Sequence, residues 1–136
     1  MQLSVRVQGD AALAAACAAA IPNLKQRTTM AVHQFAVLLA ERIQTAASGR
    51  PGPNIVSGNL YGSILIDHTL GDADGWGVAT VYTNTIYARR LELGFHGADS
   101  LGRNYNQPPY PFFGRGVEGS IGEFIAMMQR AVNGAL

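Results

Sequence analysis

The heptapeptide ASGRPGP, residues 47–53, places two glycines and two prolines within seven positions, a combination that neither a helix nor a central strand tolerates. It divides the chain into two regimes. Upstream, Val32, Phe35, Leu39, Ile43 and Ala46 recur at spacings of three and four, with Gln34, Glu41, Arg42 and Gln44 on the other faces, which predicts one long amphipathic helix. Downstream, the period changes to two. Residues 64–70 (ILIDHTL) and 76–83 (WGVATVYT) flank a polar turn, GDADG, and predict a β-hairpin entered through a turn at Ser57-Gly58. A helix that must stop here and a hairpin that must follow lead to an α+β domain: a small antiparallel sheet with a central hairpin, packed against the long helix and a C-terminal helix.

The remaining segments fit around that frame. Leu3, Val5 and Val7 alternate like a short strand ending at Gly9. Residues 11–21, AALAAACAAAI, predict a short helix capped by Asp10 that stops before Pro22, and Pro22 in turn opens the longer helix. The apolar run imitates the core of a secretory signal. Asp10 precedes it, Arg6 is the only basic residue in front of it, and it falls far short of the ~20 residues that span a bilayer. The expectation is a soluble protein made in the cytoplasm. Residues 86–93 suit a short helix. Residues 94–111 have no periodicity and are expected to form an extended loop. Val117, Ile121, Phe124, Ile125, Met128 and Val132 mark a C-terminal amphipathic helix ending at Gly134. The 136 residues fit a single domain, with no internal repeat.

The patterns that carry catalysis or ligand chemistry are weak. GRGVEG, residues 114–119, formally matches a dinucleotide fingerprint, but a Pro-rich segment precedes it and the chain ends 17 residues later, leaving no room for the second strand and its acid. Its glycines read instead as easing a loop into the last helix. DADG resembles the opening of a calcium loop without the later ligands. No His-Glu-x-x-His, Cys-x-x-Cys or Gly-x-Ser-x-Gly occurs. Asp67, His68 and Asp72 are the best hydrolase candidates. Adjacent strand residues point to opposite faces, however, so Asp67 and His68 do not readily cooperate. Cys17 is the only cysteine, which excludes an intrachain disulfide. No cofactor or metal is expected.

The binding-type residues are concentrated instead. Tyr82, Tyr87, Phe95, Tyr105, Tyr110, Phe112 and Phe113, seven of the eleven aromatics, fall between residues 82 and 113, with Arg89, Arg90, Arg103 and Arg115 among or just beyond them. Aromatic residues and arginine carry most of the energy of protein interfaces. Nine arginines against the single Lys25 suit the same role, although genome composition explains that bias equally well. QPPYPFF, residues 107–113, is stiffened by Pro108, Pro109 and Pro111. It either docks on a partner or folds back onto its own core. A net charge of +1 and 14% charged residues give no basic patch for tight nucleic-acid binding. A nucleic-acid module built on Arg89, Arg90, Arg103 and Arg115 is the second reading.

Three motifs in this order carry a family resemblance: SGNLYGSI at residues 57–64; Tyr87-Ala88, two further residues, then Leu91-Glu92-Leu93-Gly94; and PYPFFGRGVE at residues 109–118. From about residue 22 onward the chain resembles the head–tail joining proteins of long-tailed bacteriophages, also called neck, tail-completion or minor tail proteins. The resemblance implies a structural virion protein without catalysis, assembled in the host cytoplasm. Such a protein forms a ring, commonly sixfold, between the connector or stopper and the tail tube protein, and DNA passes through the lumen without specific binding. On this reading Tyr87, Arg89, Arg90, Glu92, Phe95, Arg103, Tyr105, Tyr110, Phe112, Phe113 and Arg115 form the interface with neighbouring subunits, with Arg89, Arg90 and Glu92 supplying charge pairs across it.

Overall fold

The computed structural model describes residues 10–69 and 76–135. The expected first strand at residues 3–7, the capping side chain of Asp10, and the GDADG turn with Asp72 lie outside the described residues. The fold is α+β, as the change of period at residues 47–53 predicts. A 37-residue helix, α1 (Asp10–Ala46), is followed by a single helical turn, α2 (Asn59–Gly62), and by the hairpin β1 (Ile64–Thr69) and β2 (Val78–Thr83). Then come α3 (Ala88–Leu93), a second hairpin of β3 (Phe95–Ala98) and β4 (Asn104–Gln107), and two helices, α4 (Phe113–Glu118) and α5 (Ile121–Ala135).

Two expectations are overturned at the level of elements. The alanine-rich segment and the long helix are one continuous helix, with Pro22 inside it. A proline removes one backbone donor and crowds the preceding turn, at a cost of ~3 kcal/mol in a helix interior. The run before it consists almost entirely of alanine, the strongest helix former, and Ala18, whose carbonyl loses its partner, is exposed to water. Residues 94–111 are likewise not an extended loop, because most of them form the β3–β4 hairpin, paired from Phe95↔Gln107 to Ala98↔Asn104. Its turn is held by one side chain. Asp99 Oδ1 accepts the backbone N–H groups of Leu101 and Arg103 at 2.9 Å, and Oδ2 accepts Arg103 Nε at 2.7 Å.

α1 is clamped from two sides. α5 lies antiparallel along it: Asn23 and Arg27 donate to the Ala135 and Ala131 carbonyls, Phe35 meets Phe124 at 4.8 Å between ring centroids, and Arg42 pairs with Glu123. The first hairpin, in register from Ile64↔Thr83 to Thr69↔Val78, packs on the other side. It is fastened where Gly77 N–H donates to Thr29 Oγ1 at 2.9 Å. Because α1 is enclosed in this way, its deepest positions include the small residues Ala31, Ala36 and Ala40, with Ala47 just past its end, together with Ile43. The bulky Val32, Phe35 and Leu39 of the expected stripe flank them half-buried.

The core gathers Ala40, Ile43, Ala47, Leu60, Ile64, Ala88 and Phe112. The C-terminal helix is not continuous from Val117: the chain breaks at Gly119-Ser120, and Ser120, fully buried, donates to the Gly116 carbonyl at 2.6 Å. The GRGVEG glycines do more than ease a loop. Gly116 sits in α4 against α1, where an added Cβ would lie 2.5 Å from Ile43 Cγ1 and 2.9 Å from its Cα. Gly116→Ala is expected to destabilise the protein by about 1–3 kcal/mol through overpacking. Gly122→Ala, on an open face of α5, is expected to be neutral or stabilising by up to about 1 kcal/mol. Denaturant unfolding of the two variants checks both.

Candidate assembly surface

α3 and the segment after β4 are joined by a single carboxylate. Glu92 Oε2 accepts the backbone N–H groups of Phe112 and Phe113 at 2.9 and 3.0 Å, and Oε1 accepts that of Gly114 at 2.9 Å. Those three donors form the start of α4, where partial positive charge and unsatisfied N–H groups favour an anion. Tyr110 N–H donates to the Leu91 carbonyl at 2.7 Å, so the strip is tied down on both sides of Pro111. Between the two ends of this closure, Gly94 adopts φ +76°, and a Cβ there would come within 2.8 Å of the Gln107 carbonyl oxygen.

This arrangement gives several of the expected interface residues contacts within their own chain. Both oxygens of the Glu92 carboxylate are engaged at the start of α4 of its own chain. The aromatic-proline strip folds back: Phe112 is 1% exposed in the core, and Phe113 packs against that core half-buried. Tyr110, half-buried, lies under the Arg50 guanidinium, 3.9 Å from its ring centroid. Arg103 forms an ion pair with Asp99 at 2.7 Å within the second hairpin, and Arg90 stacks on Phe95 at 4.0 Å. Tyr105 lies beside Phe95 and donates to Asp99 Oδ2 at 3.3 Å. The four arginines proposed for nucleic acid are therefore in unlike settings, with only Arg89 and Arg115 left as exposed residues outside such contacts.

The surface that remains is aliphatic at least as much as aromatic. Ile86 is 97% exposed, Val56 95% and Leu93 65%, and Ile55, Tyr61 and Tyr87 are also well exposed. Sequence reasoning missed Ile55, Val56, Tyr61, Ile86 and Leu93 as surface residues. For Ile55, Val56, Tyr61 and Leu93 only the proximity of glycine or proline hinted at it, and for Ile86 nothing did. Several of them line a cleft of about 520 Å³ between residues 50–61 and the Tyr87–Leu91 stretch, with Ala47 and Leu60 also among its lining residues.

Among the described residues of the hydrolase candidate, Asp67 and His68 do not come together. β1 presents His68 toward α1, where its ring lies 4.8 Å from that of His33, while Asp67 stands on the opposite face of the strand. Among the described residues, no group of three or more His, Cys, Asp or Glu side chains is placed to hold a metal. Among them too, no helix is long and apolar enough to cross a membrane. The start of α4, the one place where GRGVEG would meet a phosphate, already holds the Glu92 carboxylate.

Two measurements check this geometry. Glu92→Ala leaves three N–H groups without their acceptor and is expected to cost about 2–3 kcal/mol by urea unfolding. Glu92→Gln, which keeps an acceptor oxygen, is expected to fall between it and the parent. Asp99 is held below the ordinary carboxylate range, chiefly by the Arg103 backbone N–H, against an opposing desolvation effect and with help from the Arg103 side chain, the Leu101 N–H and the Tyr105 hydroxyl. A carboxylate whose folded-state pKa is lowered stabilises fully above its unfolded value and loses that contribution as the pH falls through the folded one. Amide exchange of residues 99–104, corrected for intrinsic rates, is therefore expected to speed up below the ordinary carboxylate range, and Asp99→Asn is expected to remove that dependence. Comparison with protein-family models, with curated proteins and with solved structures finds no match to this chain.

Proposed function

We infer that the protein is a structural assembly component that forms a ring at the head–tail junction of a long-tailed phage, as a joining, completion or terminator protein, and that it performs no catalysis. The observation that carries this reading is the uncovered apolar surface around Val56, Ile86 and Leu93. Exposed apolar side chains mark a site of association where they gather, as Ile55, Val56, Tyr61 and Tyr87 do along the cleft. The three motifs that resemble the neck family are consistent with it, since each has a structural use here. Leu60 and Ile64 of the first enter the core, Glu92 of the second holds the third, and Phe112 of the third closes the core.

The interface of this reading is narrower than the list of aromatic and arginine residues suggests. Tyr87, Arg89 and Arg115 remain available to a neighbour, together with the aliphatic residues around them, whereas Glu92, Phe112 and Phe113 shape the surface from within. Near-neutral charge suits a lumen through which DNA slides, because few phosphate contacts would form and few counterions would be released. Virion location and contacts with the connector or stopper and the tail tube protein follow from the same reading.

Native mass spectrometry across a concentration series, with negative-stain imaging, tests it. Closed rings of one stoichiometry are expected, together with duplex-DNA affinity that stays weak even at low salt. Tight DNA binding that falls steeply with salt would instead favour the nucleic-acid reading.

A further inference from the structure

The two ends of α1 present different apolar surfaces. Toward its N-terminus, α5 ends beside Asn23, where the Asn23 side chain reaches the Ala135 carbonyl. Beyond that point α1 continues past the cover of α5: Ala11 to Ala19 are exposed throughout, Leu13 is 67% exposed, and no Asp, Glu, Lys, Arg or His occurs between Ala11 and Leu24. This arm, residues 11–21, extends roughly 15 Å at 1.5 Å per residue. At the other end of the same helix lies the apolar cleft of about 520 Å³, lined by Ile55, Val56, Tyr61, Tyr87, Leu91 and Tyr110 and containing no carboxylate among the described residues of its lining.

We propose that the cleft of one protomer receives the apolar arm, residues 11–21, of the next copy of the chain. The inference rests on the assembly reading and names the surfaces that make it. Charge matches on both sides: the arm carries none, and Arg50, the one cation among the described residues of the lining, stacks on Tyr110 and donates to the Gly52 carbonyl. A chain does not fill its own cleft, because residues 16 and 47 are separated by roughly 45 Å of straight helix. The arm and the cleft are different surfaces, so the contact is heterologous and propagates head to tail until rotation closes it. Eleven arm residues against fourteen in the lining fall short of the roughly 20–30 residues a side of a standard interface. A closed ring, in which every protomer is held twice, therefore stabilises the contact where an isolated dimer would not.

The lone cysteine provides the test, because Cys17 is exposed on the arm. Val56→Cys is introduced into the cleft of the full chain, and Leu101→Cys, at the exposed tip of the second hairpin, serves as the control. Both are treated with a short bis-maleimide. The expected result in the Val56→Cys variant is a ladder of inter-chain links that join Cys17 of one copy to the thiol introduced at position 56 of the next. The ladder is expected to be absent from the Leu101→Cys control and lost when Cys17→Ser is added. Leu13→Glu, on the exposed arm, is expected to abolish the oligomer seen by native mass spectrometry while leaving thermal unfolding of the monomer unchanged. If the oligomer persists in Leu13→Glu, or if only Cys17–Cys17 links form, the arm-in-cleft contact is overturned and the assembly reading stands. A parent chain that remains monomeric throughout the concentration series, with no arm-to-cleft links in the Val56→Cys variant, overturns both.

Discussion

The Glu92 carboxylate is the interaction on which the second half of the molecule depends. It lies at the end of α3 and accepts three consecutive backbone N–H groups about twenty residues further along the chain. A carboxylate taken from water recovers its solvation only if enough donors converge on it, and the start of a helix offers several in one place. This closure fixes the base of the β3–β4 hairpin and turns the proline strip inward. It also delivers Phe112 to the contact with Ile43, Leu60 and Ala88. With Phe112 in place, α4 lies close enough to α1 that only glycine is accommodated at position 116.

Close approach is also the theme of α1. A helix covered by α4 and α5 on one side and a hairpin on the other has little room for large side chains along its deepest line. Apart from Ile43, alanines fill most of those positions, and Phe35 and Leu39 lean outward against the neighbours. The exposed Arg42–Glu123 pair, in a setting where such pairs are worth about 0–1 kcal/mol, adds little to this packing. More of the cohesion of the layer comes from small side chains that allow backbones to approach, which is why cavity and overpacking effects outweigh surface charge in this fold.

The elements that could be read from the chain are those whose signal is local. The first hairpin announces itself through alternation and a polar turn, and the long helix through its spacing and the break at residues 47–53. What escaped depends on context. Pro22 reads as a boundary, yet continuous helix on both sides keeps it inside α1. The turn of the second hairpin is set by Asp99, whose four acceptor contacts are made with residues up to six positions away. It is a sequence of ordinary turn residues without flanking alternation. Glu92 looks like a surface charge because its three partners are backbone groups, and backbone groups leave no trace in composition. Ile86 and Val56 look like core residues because hydrophobicity alone does not say which apolar side chains remain uncovered.

The fate of the aromatic cluster bears directly on function. A dense run of aromatic residues and arginines suggests an interface, but the aromatics here spend much of their area inside the protomer, and Arg50, Arg90 and Arg103 stack on or pair with residues of their own chain. These contacts tie residues 87–113 to the rest of the protomer and so give the neighbouring cleft a built wall. A preformed apolar cleft needs less side-chain ordering on association than a flexible strip that must fold as it docks. The aromatic residues therefore act from within: by packing inward they fix the wall on which Val56, Tyr61 and Tyr87 stand, and in the assembly proposed above the contact itself would pass to those residues.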